Sequence, residues 1–165
     1  MVVPVADPVP VGRPITAGRL AFWAGPPALM MAGIFYSGTA VASSDETQGL
    51  LIRLLLVVAP AWVSAPGVVD EINHWMRKAG HFSAYAVLAI LVARAIRGLG
   101  GRLTPRVALA AWMVAVAWAS VDEFHQSFSP TRGASVYDVL LDSVGAFIGV
   151  LLYFLWKNRS SRRAA

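Results

Sequence analysis

Long apolar runs, each closed by polar or helix-breaking residues, organise the chain. From Leu20 to Ala42 there is no charged residue, and the run is interrupted by Gly25, Pro26 and Pro27. A membrane helix tolerates such residues at the cost of a kink, so this stretch is the first expected span. It ends in Ala40, Val41 and Ala42, a small-x-small pattern resembling a signal-peptidase site. The apolar run is longer than the roughly 7–15 residues of a signal peptide, so an uncleaved signal anchor is expected. Three further spans are expected: about Phe82 to Ala95 extended by the preceding amphipathic turns, Val107 to Ser120 with its flanks, and Tyr137 to Trp156. The segment Leu50 to Val69 is equivocal, because it is apolar and long enough to span but carries Arg53, Pro60 and Pro66.

Charge resolves that ambiguity. The 165 residues include 14 Lys and Arg against 9 Asp and Glu, for a formal net charge of +5. If Leu50 to Val69 does not cross, the chain has four spans with both ends on one side. That side then holds Arg13, Arg19, Arg94, Arg97, Arg102, Arg106, Lys157, Arg159, Arg162 and Arg163, which is ten of the fourteen basic residues. Only Arg53, Arg77, Lys78 and Arg132 fall opposite, as the positive-inside rule requires. A fifth crossing would leave five basic residues inside. The segment is therefore expected to lie in the interface or to re-enter, between spans one and two. The expected fold is all-α: an integral membrane four-helix bundle, with 1–19 a disordered cytoplasmic tail, 20–156 the membrane domain and 157–165 a basic cytoplasmic tail.

Composition agrees with this topology. The chain is 57% hydrophobic and only 14% charged, against roughly 25% charged in soluble domains, which argues against a soluble enzyme. Topology accounts for the basic excess and leaves no need for a nucleic-acid partner, while the C-terminal KNRSSRRAA would attract anionic lipid. With no cysteine, disulfides and thiolate metal sites are excluded.

The four-span topology also gathers the acids. Asp45, Glu46, Asp70, Glu71, Asp122, Glu123, Asp138 and Asp142 fall at or near the outer face with all three histidines, leaving only Asp7 inside. On a helix, His74, Lys78, His81 and Tyr85 form one stripe at i, i+4, i+7 and i+11. Asp122 and Gln126 share a face at the end of span three, and Pro130 and Gly133 mark a turn containing Arg132. Span four repeats the first spacing with Asp138, Asp142, Gly145 and Gly149. The glycines permit close helix approach, while Asp142, more than a turn inside the span, needs partners or trapped water. Lys78, Arg132, His81 and Tyr85 are the expected partners. The cluster reads in two ways, as a lock holding the helices in register or as a ligand pocket. His125 is expected to face outer water.

The segments KAGHFSAYAVL, VDEFHQSFSPTRGAS and YDVLLDSVGAFIG, in that order and spacing, resemble the VanZ-like membrane proteins. The resemblance covers Arg77 to Val150, including Lys78, His81, Tyr85, Asp122, Glu123, Gln126, Arg132, Asp138, Gly145 and Gly149. Asp142 departs from it, because asparagine is usual there. The resemblance implies a multi-pass protein of the bacterial cytoplasmic membrane and a link to glycopeptide resistance, especially to teicoplanin. It supplies no established reaction.

Three functions stay open. In the first, an outward polar pocket recognises an envelope lipid, a cell-wall intermediate or a glycopeptide, with Lys78 and Arg132 holding an anionic group and His81, Tyr85 and Gln126 orienting the rest. In the second, His81 with Asp122 or Glu123 performs acid–base chemistry in a membrane-embedded hydrolase or transferase, although no nucleophile elbow, Walker loop or HExxH motif is present and Ser83 and Ser120 are ordinary helix serines. In the third, the glycine face makes the chain an interaction subunit or homo-oligomer. His81, Asp122 and Asp138 are metal-ligand types, with His74 or His125 as additions. Because His74 and His81 stand seven residues apart rather than four, no metal is expected. No other cofactor is expected.

Overall fold

The computed structural model describes residues 14–38, 44–128 and 135–163, with side chains over 14–38, 48–128 and 135–160. Six helices account for nearly all of this: α1 (Ala17–Ser37), α2 (Ser44–Val58), α3 (Pro60–Val63), α4 (Val68–Gly98), α5 (Pro105–Gln126) and α6 (Val136–Arg163). Four of them, α1, α4, α5 and α6, are long and apolar enough to cross a membrane. Between the first two lies the equivocal segment, as two short helices of 15 and 4 residues.

Local chemistry sets the helix limits. Thr16 caps α1 by accepting the Arg19 amide at 3.3 Å, so the helix begins at Ala17, inside the stretch expected to be a disordered tail. Arg19 is fixed as well, donating to the Pro14 carbonyl at 3.2 Å and to the Gly98 carbonyl at the end of α4 at 2.9 Å. A cation at a helix C-terminus satisfies an orphan carbonyl and the negative end of the dipole. Thr104 caps α5 in the same way, with Pro105 in the first turn. At the other end of the chain, α6 runs through the expected basic tail to Arg163. No glycine or proline lies between Lys157 and Arg163, and basic residues suit the last turn of a helix. The expected cleavage-like Ala40 to Ala42 lies outside the described residues, as do 1–13.

Pro60, in the first turn of α3, separates α2 from α3. Gly67, at φ +77°, turns the chain into α4, a conformation a side chain would strain. Leu51 and Leu55 of α2 bury against Val69, and Gln48 donates to Asp70 at 2.5 Å. The pair α2–α3 thus packs on the first turns of α4, while Leu50, Leu54, Leu56, Val57, Val58 and Trp62 stay exposed, an apolar outer face suited to lying in a bilayer interface. At 31 residues, α4 is about 46 Å long, well beyond a hydrocarbon core of about 30 Å. The part sheathed by α2–α3 is that excess.

The core between spans is built from small residues. Ala89 and Ala93 of α4, Ala111, Ala115 and Ala119 of α5 and Ala146 of α6 are at most 2% exposed. Lipid gives helices no hydrophobic reason to associate, so close backbone approach must supply the attraction, and small side chains permit it. Gly145 and Gly149 take this furthest. A Cβ on Gly145 would lie 2.4 Å from the Phe82 carbonyl oxygen, and one on Gly149 would lie 2.4 Å from that of Ala86. Residue numbers rise together on the two helices, so α4 and α6 run parallel, with α5 returning between them.

Candidate functional site

The expected stripe on α4 meets the carboxylates of α5 and α6 at the end of the bundle where α4 and α6 begin. Lys78 forms an ion pair with Asp138. One turn deeper, His81 Nδ1 stands 3.5 Å from Asp142 Oδ2. Deeper again, Tyr85 is fully buried and its hydroxyl lies 3.4 Å from Asp122 Oδ2, which also accepts from Gln126 Nε2 at 2.9 Å. The rings of His81 and Tyr85 stack with centroids 6.4 Å apart. Lys78, His81 and Tyr85 therefore form a ladder, because each of these rungs on α4 reaches one carboxyl group on a neighbouring helix.

Glu123 serves the backbone. Its Oε1 accepts the Ser135 amide at 2.5 Å, while Ser135 Oγ accepts the Tyr137 amide at 3.2 Å. Together these contacts satisfy the amides of Ser135 and Tyr137 at the start of α6 and tie it to the end of α5. A carboxylate suits this place because the N-terminus of a helix carries partial positive charge. The Asp138 side chain, in the first turn of α6, benefits from the same field.

Two carboxyl oxygens remain unaccounted for. Asp122 is 1% and Asp142 4% exposed, and Asp122 Oδ1 and Asp142 Oδ1 are buried with no hydrogen-bond partner among the described residues. A buried charge costs several kcal/mol unless donors or cations offset it. The cluster contains four carboxyl groups, Asp122, Glu123, Asp138 and Asp142, beside Lys78 and His81, so it accepts far more hydrogen bonds than it donates. Gly38, at the end of α1, closes over Asp122. A Cβ there would lie 3.1 Å from Oδ1, so this corner of the site admits no side chain from α1 without displacement.

The remaining expected residues are placed differently. Arg132 lies outside the described residues, with the Pro130–Gly133 turn. Lys78, expected to hold an anion, is paired with Asp138, because the parallel packing of α4 and α6 brings the two side chains level. His125 does not face water as expected. It is half-buried and stacks on Phe35 of α1, with centroids 3.9 Å apart and planes at 25°, because α1 packs beside the end of α5. His74 is exposed and lies edge-on to Trp75. Ser83 and Ser120 are exposed, and Ser120 donates to its own helix at Val116. Among the described residues no three His, Asp or Glu side chains are grouped to hold a metal.

Sequence reasoning missed the cap made by Ser135 and the bond from Trp112 Nε1 to the Ser143 carbonyl at 2.9 Å that joins α5 to α6. The serine directly before span four was a readable N-cap signal. The tryptophan left none.

Because Lys78 and Asp138 are 26% and 35% exposed at their side chains, solvent screens their pairing. Lys78→Ala is expected to cost no more than about 1 kcal/mol in a thermal unfolding series.

The helices and this cluster define a small multi-pass α-helical membrane protein with a polar site buried at one end of its bundle. The VanZ/LLP1 family model matches residues 26–157, most of the chain, and the chain belongs to that family. No curated protein and no solved structure matches it.

Proposed function

We propose that this VanZ-like protein works in the bacterial cytoplasmic membrane with both termini in the cytoplasm, and that its outward polar cluster recognises the polar part of an envelope lipid, a cell-wall intermediate or a glycopeptide. The observation carrying this reading is the pair of buried oxygens on Asp122 and Asp142 that have no hydrogen-bond partner among the described residues. Groups that accept but lack donors suit a ligand rich in hydroxyls or amines, as sugars and glycopeptides are. Arg132, between α5 and α6 in the sequence, is the candidate for an anionic portion, since a guanidinium forms bidentate bonds with carboxylate or phosphate. The resistance link implied by the family makes teicoplanin the first probe.

The test is binding of teicoplanin, and separately of a lipid-linked cell-wall precursor, to the purified protein in nanodiscs. Asp122→Asn, Asp138→Ala and Arg132→Ala are each expected to weaken binding at least about tenfold, as for loss of a charge-assisted bond, in protein that still unfolds cooperatively. Unaltered binding in all three variants would remove the site from this role, and failure of well-folded wild type to bind either probe would reject these ligands.

A second reading has one specific support. A histidine beside a carboxylate, as His81 is beside Asp142, is a common arrangement for general acid–base catalysis. It makes a membrane-embedded hydrolase or transferase the alternative, with Asp122 or Glu123 as the further acid–base candidate. Turnover of the lipid-linked precursor by wild type, lost in His81→Gln, would favour it over binding alone.

A further inference from the structure

At the opposite end of the bundle, where α4 and α6 finish, lies a groove of about 680 Å³ whose lining includes Arg94, Arg97 and Lys157 with Trp23, Tyr153 and Trp156. Among the described residues three cations line it and no acid does. Its parts are held in place. Arg97 donates to the Tyr153 hydroxyl at 2.8 Å, and Lys157 lies 4.5 Å from the centre of the Trp156 ring. Trp23 seats against Gly98, where a Cβ would fall 2.0 Å from the indole, so the wall of the groove depends on that glycine. Arg94 and Arg97 are three residues apart on one helix face, with no carboxylate paired to either among the described residues.

A second groove, of about 320 Å³, adjoins the first through two shared residues, Trp23 and Arg94. It runs between α1 and α4 past Phe22, Gly25, Pro26, Leu29 and Leu91, and apart from Arg94 its lining is apolar. The kink-prone Gly25–Pro26 pair leaves it open, since nothing lies within 4 Å of a Cβ on Gly25. A cationic head compartment joined to an apolar channel that leads along a membrane helix has the amphipathic form of a phospholipid.

We propose that these joined grooves bind an anionic glycerophospholipid, its phosphate among Arg94, Arg97 and Lys157 and one acyl chain in the channel beside Gly25. Guanidinium groups match phosphate oxygens bidentately, and indole rings favour the level of glycerol and headgroup. Basic pockets between membrane helices take such headgroups generally. The site is separate from the acidic cluster and does not depend on what that cluster binds.

Native mass spectrometry of the full chain in mild detergent tests it, with phosphatidylglycerol, phosphatidylcholine of the same chains and inorganic phosphate as probes. One phosphatidylglycerol is expected to be retained at about tenfold lower concentration than phosphatidylcholine. The double variant Arg94→Gln/Arg97→Gln should lose that preference, and Gly25→Leu, which fills the channel, should weaken retention. Arg102→Gln/Arg106→Gln, at the same end but outside the groove, should behave as wild type, and matched unfolding temperatures exclude misfolding. Retention unchanged in the Arg94/Arg97 variant, or lowered equally by the Arg102/Arg106 pair, would overturn the site. Displacement by millimolar inorganic phosphate together with indifference to Gly25→Leu would assign the groove to a soluble phosphate and overturn the lipid.

Discussion

Gly149→Ala is expected to destabilise the bundle by about 1–3 kcal/mol, and Gly149→Leu to prevent recovery of monodisperse folded protein. The added Cβ meets backbone at Ala86, its oxygen at 2.4 Å and its Cα at 2.7 Å. A side chain in that position could rotate aside, but a helix backbone must move as a whole, so α4 and α6 would have to separate and lose the close contact that membrane association rests on. Gly145→Ala should behave alike, because the Phe82 backbone stands equally near. Gly33→Ala in α1 and Gly80→Ala in α4 are the controls. Nothing lies within 4 Å of either Cβ, and alanine is the better helix former by up to about 1 kcal/mol. Thermal unfolding in detergent measures all four. If Gly145 and Gly149 instead served a dimer, their alanine variants would change the oligomeric state and leave the unfolding of the monomer alone.

The second large effect is expected at Asp122. Asp122→Leu removes the acceptor for two donors in a buried site, the Gln126 amide at 2.9 Å and the Tyr85 hydroxyl at 3.4 Å. Taking this acceptor from a buried donor costs about 1–3 kcal/mol per donor, so a total loss of about 2–6 kcal/mol is expected, while Asp122→Asn, which keeps an acceptor, should lose far less. Paired substitutions order the contributions. Adding Gln126→Leu to Asp122→Leu should recover more stability than adding Tyr85→Phe, because the shorter bond is the stronger and its orphan the costlier. Equal recovery by both would mean that the long contact to Tyr85 holds the cluster as firmly as the short one.

These two sites mark how far the chain could be read without coordinates. The spans were legible because apolar runs of bilayer length have few alternatives, and the charges on Arg94 to Arg106 argued against a fifth crossing. The stripe His74–Tyr85 and the spacing Asp138–Gly149 were legible because helical periodicity converts sequence separation directly into a shared face. Which rung meets which carboxyl group was not, since Lys78 and Asp138 are 60 residues apart and only the parallel packing of α4 and α6 makes them level. The same applies to Arg19 at Gly98 and Arg97 at Tyr153, contacts between helix ends that no local pattern encodes. His125 was read by its chemical type as facing water, and it stacks against α1 instead. Glu123, a candidate site residue, also caps α6, and both contacts are decided by the neighbours each helix end receives.

The alanine and glycine interior implies an inverted map of tolerance to substitution. In a water-soluble domain the bulky side chains are locked inside and the surface is free to vary. Here Phe22, Leu29, Leu109, Met113, Phe147 and Leu152 point outward, where acyl chains conform to whatever shape they meet, so exchanging one large apolar residue for another should pass almost unnoticed. The smallest side chains, Ala89, Ala93, Ala111, Ala115 and Ala146, have no exposure at all, and there a single additional methyl group is the disruptive change. A saturation scan of this chain should therefore find its strictest positions where the residues look least distinctive.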